Sequence, residues 1–190
     1  MVHPQIRWEN RMMRSNGSRC LVSVDGTDFR IQEPRPFNKR WYSKKFNGPG
    51  VRYEVGICIQ TGWIVWVNGP FPCGEWPDLK IAMDSLVYMF EGDERAVADN
   101  GYKGYPEYFD IPWKHLDPPE AKSRKSLVRA RHETVNRRFK QWKCMKEVWR
   151  HSLEKHGKVF TAVSNIEQLK MMKQETWQVE YNDRINPSHI

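Results

Sequence analysis

The chain lacks any apolar run long enough to cross a membrane. Its longest strongly apolar stretch is Trp63 to Val67, against the roughly 20 residues that a spanning helix needs. The opening residues, Met1-Val2-His3-Pro4-Gln5 followed by Arg7, Glu9, Arg11 and Arg14, lack the apolar core of a secretory signal, so none is expected in this stretch. Cysteine is scarce and unpaired. Cys20, Cys58, Cys73 and Cys144 form no C-x-x-C unit, so neither structural zinc nor a disulfide framework is expected; reduced thiols in a nuclear or cytosolic protein are. Internal repeats and low-complexity segments are also missing. What is present is a large aromatic complement of 9 Trp, 7 Tyr and 8 Phe within 190 residues, and 39% hydrophobic residues, enough for one domain with a sizeable core. Lys and Arg number 31 against 23 Asp and Glu, a formal net charge of +8 that points to anionic partners, nucleic acid first.

Periodicity organises the chain into an N-terminal extension (1–19), a domain (20–181) and a C-terminal tail (182–190). Cys20 to Gly26 reads as a short buried strand that delivers Asp25 near its end. A loop punctuated by proline follows, Gln32 to Gly50. Val51 to Gln60 and Thr61 to Val67 are β-rich runs joined near Gln60-Thr61-Gly62, which predicts a hairpin and a three-stranded antiparallel start. Leu79, Ala82, Met83, Leu86, Val87 and Phe90 recur at helical spacing, and Arg95 to Ala98 is a short strand entering the turn Asp99-Asn100-Gly101. A strand after a crossover helix runs parallel to an earlier one, so the sheet becomes mixed. Tyr108 to Trp113 is expected as one more edge strand, and residues 115–125 as a flexible connector. From Ser126, Val128, Val135, Phe139, Trp142, Met145 and Trp149 cover one helical stripe. Val163 to Met172 predicts a last helix and Trp177 to Tyr181 a closing strand.

Three acids stand out by position: Asp25 at the end of the first strand, Asp99 just past the fourth, and Glu133 on a late helix. Carboxylates at the ends of neighbouring strands converge, because adjacent strands lie about 4.8 Å apart, and a helix packed over that edge can supply a third. Such an all-oxygen set suits Mg²⁺ or Mn²⁺ and two-metal phosphodiester chemistry. Spacing alone leaves a second reading open. Asp25-Gly26 and Asp99-Asn100-Gly101 are also ordinary turn sequences, and Glu133 is placed to pair with Arg129 or Arg137 at i,i+4.

The residues around these acids carry a resemblance. Val22-Ser23-Val24-Asp25-Gly26-Thr27-Asp28-Phe29-Arg30-Ile31 resembles the first block of DDE-type endonucleases of the Harbinger transposase group. Ala98-Asp99-Asn100-Gly101-Tyr102 resembles the second, and Arg129 to Lys140, with His132-Glu133-Thr134 at its centre, the third. Pro72-Cys73-Gly74-Glu75-Trp76-Pro77-Asp78-Leu79 is similar to the loop that enters the crossover helix in that group. The resemblance implies an α/β, ribonuclease H-like fold: a mixed five-stranded sheet, three antiparallel strands and then parallel ones, flanked by helices. It implies a two-metal DNA endonuclease in which Asp25, Asp99 and Glu133 hold Mg²⁺ or Mn²⁺. By the same resemblance the substrate is DNA at transposon ends, the compartment is the nucleus, with the cytoplasm before import, and a separate Myb-like DNA-binding partner or a homo-oligomer takes part. Only 24 residues precede Asp25, so the expectation is a catalytic half without an upstream helix-turn-helix region. The competing expectation is a catalytically inactive, transposase-derived DNA-binding or scaffold protein.

Other residues divide between site and scaffold. Asp28 lies on the strand face opposite Asp25 and is expected at the surface. Asp78 is expected at the start of the crossover helix, in a structural role favourable to its dipole. His132 points about 100° from Glu133 and is expected at the surface or facing phosphate. Trp41 and Tyr42, with Arg40, Lys44 and Lys45, form either a base-stacking and phosphate-binding loop or a packed loop with solvated lysines. Arg129, Asn136, Arg137 and Lys140 share a helix face with Glu133 and are candidate DNA contacts. Glu120 to Arg150 holds eleven Lys or Arg and three acids, and so carries the whole net charge.

Overall fold

The computed structural model describes residues 5–113, 117–174, 179 and 181–184. One mixed sheet organises them: β1 (Cys20–Arg30), β2 (Tyr42–Ser43), β3 (Gly48–Cys58), β4 (Ile64–Pro72), β5 (Arg95–Val97) and β6 (Phe109–Asp110). The strand order is β2-β3-β1-β5-β6, with β4 also paired to β3. β1, β3 and β4 are antiparallel neighbours, whereas β5 runs parallel to β1 and β6 parallel to β5. This is the expected ribonuclease H-like sheet with one strand more. The addition, β2, pairs with the start of β3 out of the loop that follows β1.

Helices cover both sheet faces. α1 (Asp78–Asp84) lies on one; α2 (Pro119–Gln141) and α4 (Leu153–Lys173) lie on the other, joined through the short α3 (Lys143–Lys146). Alternation along β1 therefore buries both of its faces. Val22 and Val24 join Ala82, Leu86 and Tyr102 in one core, while Phe29 and Ile31 join Val135, Phe139, Phe160 and Val163 in the other. Pro119 opens α2 at a position where its missing N–H costs nothing, with Glu120 in the first turn and Lys140 in the last to match the helix dipole. Ser152 Oγ caps α4 by accepting from the Lys155 amide.

Several element boundaries differ from the sequence reading. α2 starts at Pro119, so Pro119 to Lys125 is helix rather than connector. The reason lies in Lys125, whose buried ammonium donates to the Ile111 carbonyl at 2.9 Å and Asp117 at 3.0 Å and pairs with Asp110 at 2.8 Å. A lysine used as a core residue breaks the apolar stripe that marks a helix. At its other end α2 stops at Gln141, so Trp142 and Trp149 are not on it; Trp149 instead bridges Ile31 at the end of β1. α1 ends at Asp84, followed by a 3₁₀ turn at Leu86–Met89, because Ser85 Oγ donates to the Ile81 carbonyl and accepts from Asn68 while its backbone leaves helical geometry. The hairpin strands are longer than read, and α4 begins well before Val163. The expected closing strand, Trp177 to Tyr181, falls largely outside the described residues; Val179 and Tyr181 are buried. The expected N-terminal extension packs on the domain through a 3₁₀ turn, Trp8–Met12, whose buried Arg11 pairs with Glu94 at 2.9 Å. Among the described residues no helix is long and apolar enough to cross a membrane, and all four cysteines are free.

Candidate active site

Asp25 and Asp99 owe their proximity to the parallel pairing of β1 with β5. The last paired residues are Ser23 and Val97, and each aspartate lies two positions further on: Asp99 just past the end of β5 and Asp25 in the middle of β1, which does not stop near Gly26 as expected but continues to Arg30 because β3 pairs with it along that whole length. α2 packs over this edge in a register that strand and helix rises explain. Two residues of strand advance about 6.6 Å and four residues of helix about 6 Å, so Ser23 and Asp25 meet His132 and Asn136 rung by rung. Ser23 Oγ is 3.0 Å from His132 Nδ1, and Asn136 Nδ2 donates to Asp25 Oδ2 at 3.1 Å. Glu133, next to His132, thereby comes to the same opening. Asp25, Asp99 and Glu133 line one cavity of about 380 Å³ together with Ser23, Arg129 and His132.

Each acid also has a local partner. Asp25 Oδ1 accepts from the Gly26 amide at 2.8 Å, Asp99 Oδ1 accepts from the Gly101 amide at 2.7 Å, and Glu133 Oε1 pairs with Arg137 at 2.8 Å in solvent. The Asp99 turn and the i,i+4 pair of the second reading thus coexist with the shared cavity, whereas Asp25-Gly26 is not a turn but the middle of β1. As the side chains stand, no group of three His, Cys, Asp or Glu among the described residues is close enough to hold one ion. The donor set nonetheless suits a hard cation. Burial raises the Asp25 carboxyl above the usual carboxylate range; Lys45 opposes the rise and the negative charge of Asp99 adds to it. Beside it, the buried Oδ1 of Asn136 has no hydrogen-bond partner.

The basic candidates separate by position. Arg129 lines the cavity. Lys45 Nζ donates to the Gly26 carbonyl at 2.7 Å, next to Asp25, so the loop that carries it folds back to the site. Lys140 lies close enough to Lys45 that, after burial, this neighbour is the main influence holding its ammonium below the usual range. Arg137 is tied to Glu133 and Asn136 to Asp25. Arg40 is further off, paired with Glu75 at 3.0 Å and stacked over Trp41, while Lys44 is exposed. Trp41 is half-buried against the α2/α4 core and Tyr42 is exposed.

Two expectations are corrected. Asp28 does face away from Asp25, but it is buried: α1 and its entry loop cover that face, and Arg52 donates to it from Nε at 2.7 Å and Nη2 at 2.9 Å while Ser43 donates at 2.6 Å. Burial alone would raise its carboxyl; the Arg52 fork outweighs this and holds it low. His132 is buried rather than at the surface, since Ser23 beneath it offers a hydroxyl. Burial, with Arg131 nearby, pushes its imidazole down to about 3, so it is neutral at any ordinary pH. Sequence reasoning also missed the pairing of Ser23 and Asn136 with the site. The available signal was polar residues two apart in a strand facing polar residues four apart on a helix.

No curated protein and no solved structure matches the chain. A family model does, over residues 24–166, an interval that contains all three acids, the loop entering α1 and the whole of α2. The chain belongs to the DDE superfamily endonucleases.

Proposed function

We propose that the chain is the catalytic domain of a divalent-metal-dependent DNA endonuclease of the Harbinger transposase type, with Asp25, Asp99 and Glu133 holding Mg²⁺ or Mn²⁺. The observation that supports this is the convergence of three acids from β1, the end of β5 and α2 on one cavity, in the order that the family's name describes. Two bound metals would activate the attacking water or hydroxyl and offset charge on the departing oxygen of the scissile phosphate.

The chain's own residues have separable parts. Asn136 orients the Asp25 carboxylate by donating to one oxygen and leaves the other engaged with the Gly26 amide. Glu133 is restrained by a single exposed ion pair, an interaction worth less than about 1 kcal/mol, so it is available to a stronger partner. Arg129, Lys45 and Lys140 surround the acids with positive charge where a phosphate backbone would approach. Cutting at transposon ends, in company with a second copy or a separate DNA-binding protein, is the fuller role this reading implies.

The alternative is a DNA-binding scaffold that no longer cuts, which the local pairing of all three acids favours. Plasmid nicking with Mg²⁺ or Mn²⁺ separates the two. Nicking by the wild-type chain, abolished in Asp25→Asn, Asp99→Asn and Glu133→Gln with the fold retained by circular dichroism, is the expected result. Full activity in any of these variants removes that residue from the site. DNA binding without nicking, and without a saturable heat on Mn²⁺ titration, selects the scaffold.

A further inference from the structure

The β1 to β5 ladder ends at Ser23 and Val97, so the backbone hydrogen bonds that set strand spacing stop two residues short of Asp25 and Asp99. Pairing with β3 holds Asp25 from its other side, so the separation between β1 at Asp25 and the turn that carries Asp99 needs a contact of its own. The residue found between them is Asp78, the first residue of α1, on the sheet face opposite the cavity. A Cβ built on Gly26, the neighbour of Asp25, would lie 1.8 Å from Asp78 Oδ1 and 2.8 Å from its Cγ. A Cβ on Gly101 would touch Asp78 Oδ2 at 4.0 Å and press on Asp99 Oδ1 at 2.8 Å. The Asp78 carboxylate therefore fills the space one glycine leaves and abuts the other.

This carboxylate is itself held. Arg52 Nε lies 3.3 Å from Asp78 Oδ1, and the same guanidinium forks onto Asp28 of β1 and donates from Nη1 to the Trp76 carbonyl at 3.2 Å. One arginine on β3 thus fixes the start of α1, its entry loop and the strand that carries Asp25. We propose that Asp78 is a positioning residue for the metal site: braced by Arg52, its carboxylate spans the gap beyond the β1 to β5 ladder and sets the distance between β1 at Asp25 and the turn bearing Asp99. A carboxylate there is buried and lies against the charges of Asp25 and Asp28, which Arg52 and Lys45 oppose. The charge is retained where Arg52 requires a carboxylate to grip. This inference rests on the reading of Asp25 and Asp99 as metal ligands.

The test uses the full chain, metal-free and with Mn²⁺ alone. In Asp78→Ala, amide hydrogen exchange at Gly26 and Gly101, whose N–H groups bond Asp25 and Asp99, should quicken at both positions together while β3 and β4 keep their protection. Mn²⁺ affinity by calorimetry should fall about tenfold or more, the usual effect of removing a group that orients metal ligands. Asp78→Asn, which keeps the volume and loses the grip of Arg52, should fall between. In Gly26→Ala/Asp78→Ala the added methyl occupies the vacated space, so the melting temperature should recover relative to Gly26→Ala while Mn²⁺ affinity stays weak. Unchanged exchange at both glycines in Asp78→Ala, or wild-type Mn²⁺ affinity in that variant, overturns the inference alone. Absence of Mn²⁺ binding by the wild-type chain overturns instead the reading of Asp25 and Asp99 as ligands.

Discussion

Glu54 makes stability depend on pH in a way that can be worked out from its surroundings. It sits on β3 with 1% of its surface exposed; Oε2 accepts from Trp66 Nε1 at 2.8 Å and Oε1 has no hydrogen-bond partner. One hydrogen bond replaces little of a carboxylate's hydration, and burial pushes the Glu54 carboxyl from its ordinary 4.5 up to about 8. A displacement of that size corresponds to something on the order of 5 kcal/mol between the protonated and ionised folded states. Its sign follows from proton counting. Between 4.5 and 8 the unfolded chain has released this proton and the folded chain has kept it, so stability falls as pH rises and the loss is complete above about 8.

The buried histidines act in the opposite direction at lower pH. His132 and His156 are pushed down to about 3 and about 4 by burial, so the unfolded chain takes up protons there first and stability climbs with pH until about 6.5. The interval from about 6.5 to 8 is left to Glu54, with a slope near 1.4 kcal/mol per pH unit and a total loss of about 2 kcal/mol. Urea denaturation at pH 6.5 and pH 8.0 measures it. In Glu54→Gln the carboxamide oxygen still accepts from Trp66 and nothing titrates, so the descending slope should vanish and the variant should be the more stable protein at pH 8. Comparison with the variant also removes Asp25 and Asp78, whose carboxyls burial raises as well. Equal slopes in the two proteins would refute the reasoning.

Three further outcomes are expected. Lys125→Met removes the cation that Asp110 and Asp117 share in the core and should cost about 3 kcal/mol by chemical denaturation, because a buried carboxylate loses its partner; a neutral effect would mean that the pair contributes nothing to anchoring α2. Ser23→Ala takes away the hydroxyl at His132 Nδ1 on a ring whose Nε2 already has no partner, and should lower stability by about 1–3 kcal/mol in thermal melts. Lys45→Ala and Lys140→Ala should each reduce the slope of log affinity against log salt for duplex DNA by about one. Anisotropy titrations that return the wild-type slope would take these lysines out of the DNA path.

The sheet was legible in the sequence because its strands obey period two and its turns carry glycine and proline. Asp99 was legible for the same reason, as an acid just past a strand, and Asp25 as an acid in the first strand, although Gly26 reads as that strand's end and β1 runs on to Arg30. What misled was polar residues doing the work of apolar ones. Lys125 sits in the core between Asp110 and Asp117, which hid the first turns of α2. His132 is buried over Ser23, and Asp28 is neutralised by Arg52; neither environment is visible until the opposing element is in place. Trp149 misled in the other direction, since its helical spacing from Trp142 is coincidental and the chain between them turns twice. Register across elements is a property of the folded chain, and these four residues are all matters of register.

The net charge shows what that difference means for function. Read linearly, the positive segment from Glu120 to Arg150 is one basic face. Folded, Lys125 and Arg131 are in the core, Arg137 is tied to Glu133, Arg138 lies toward Glu167, and Lys143, Lys146 and Arg150 fall beyond the end of α2. Lys122 and Arg124 sit in the first turns of α2, which leaves Arg129 and Lys140 beside the acids, and Lys45 reaches them from the segment between β2 and β3. That segment is held in place by Ser43, whose hydroxyl donates to the same Asp28 carboxylate that Arg52 grips. Arg52 therefore braces the acids from behind through Asp78 and, through Asp28 and Ser43, the segment that brings Lys45 in front of them. A single buried guanidinium couples the metal-holding and the DNA-facing sides of the proposed site, so both should weaken together when it is lost.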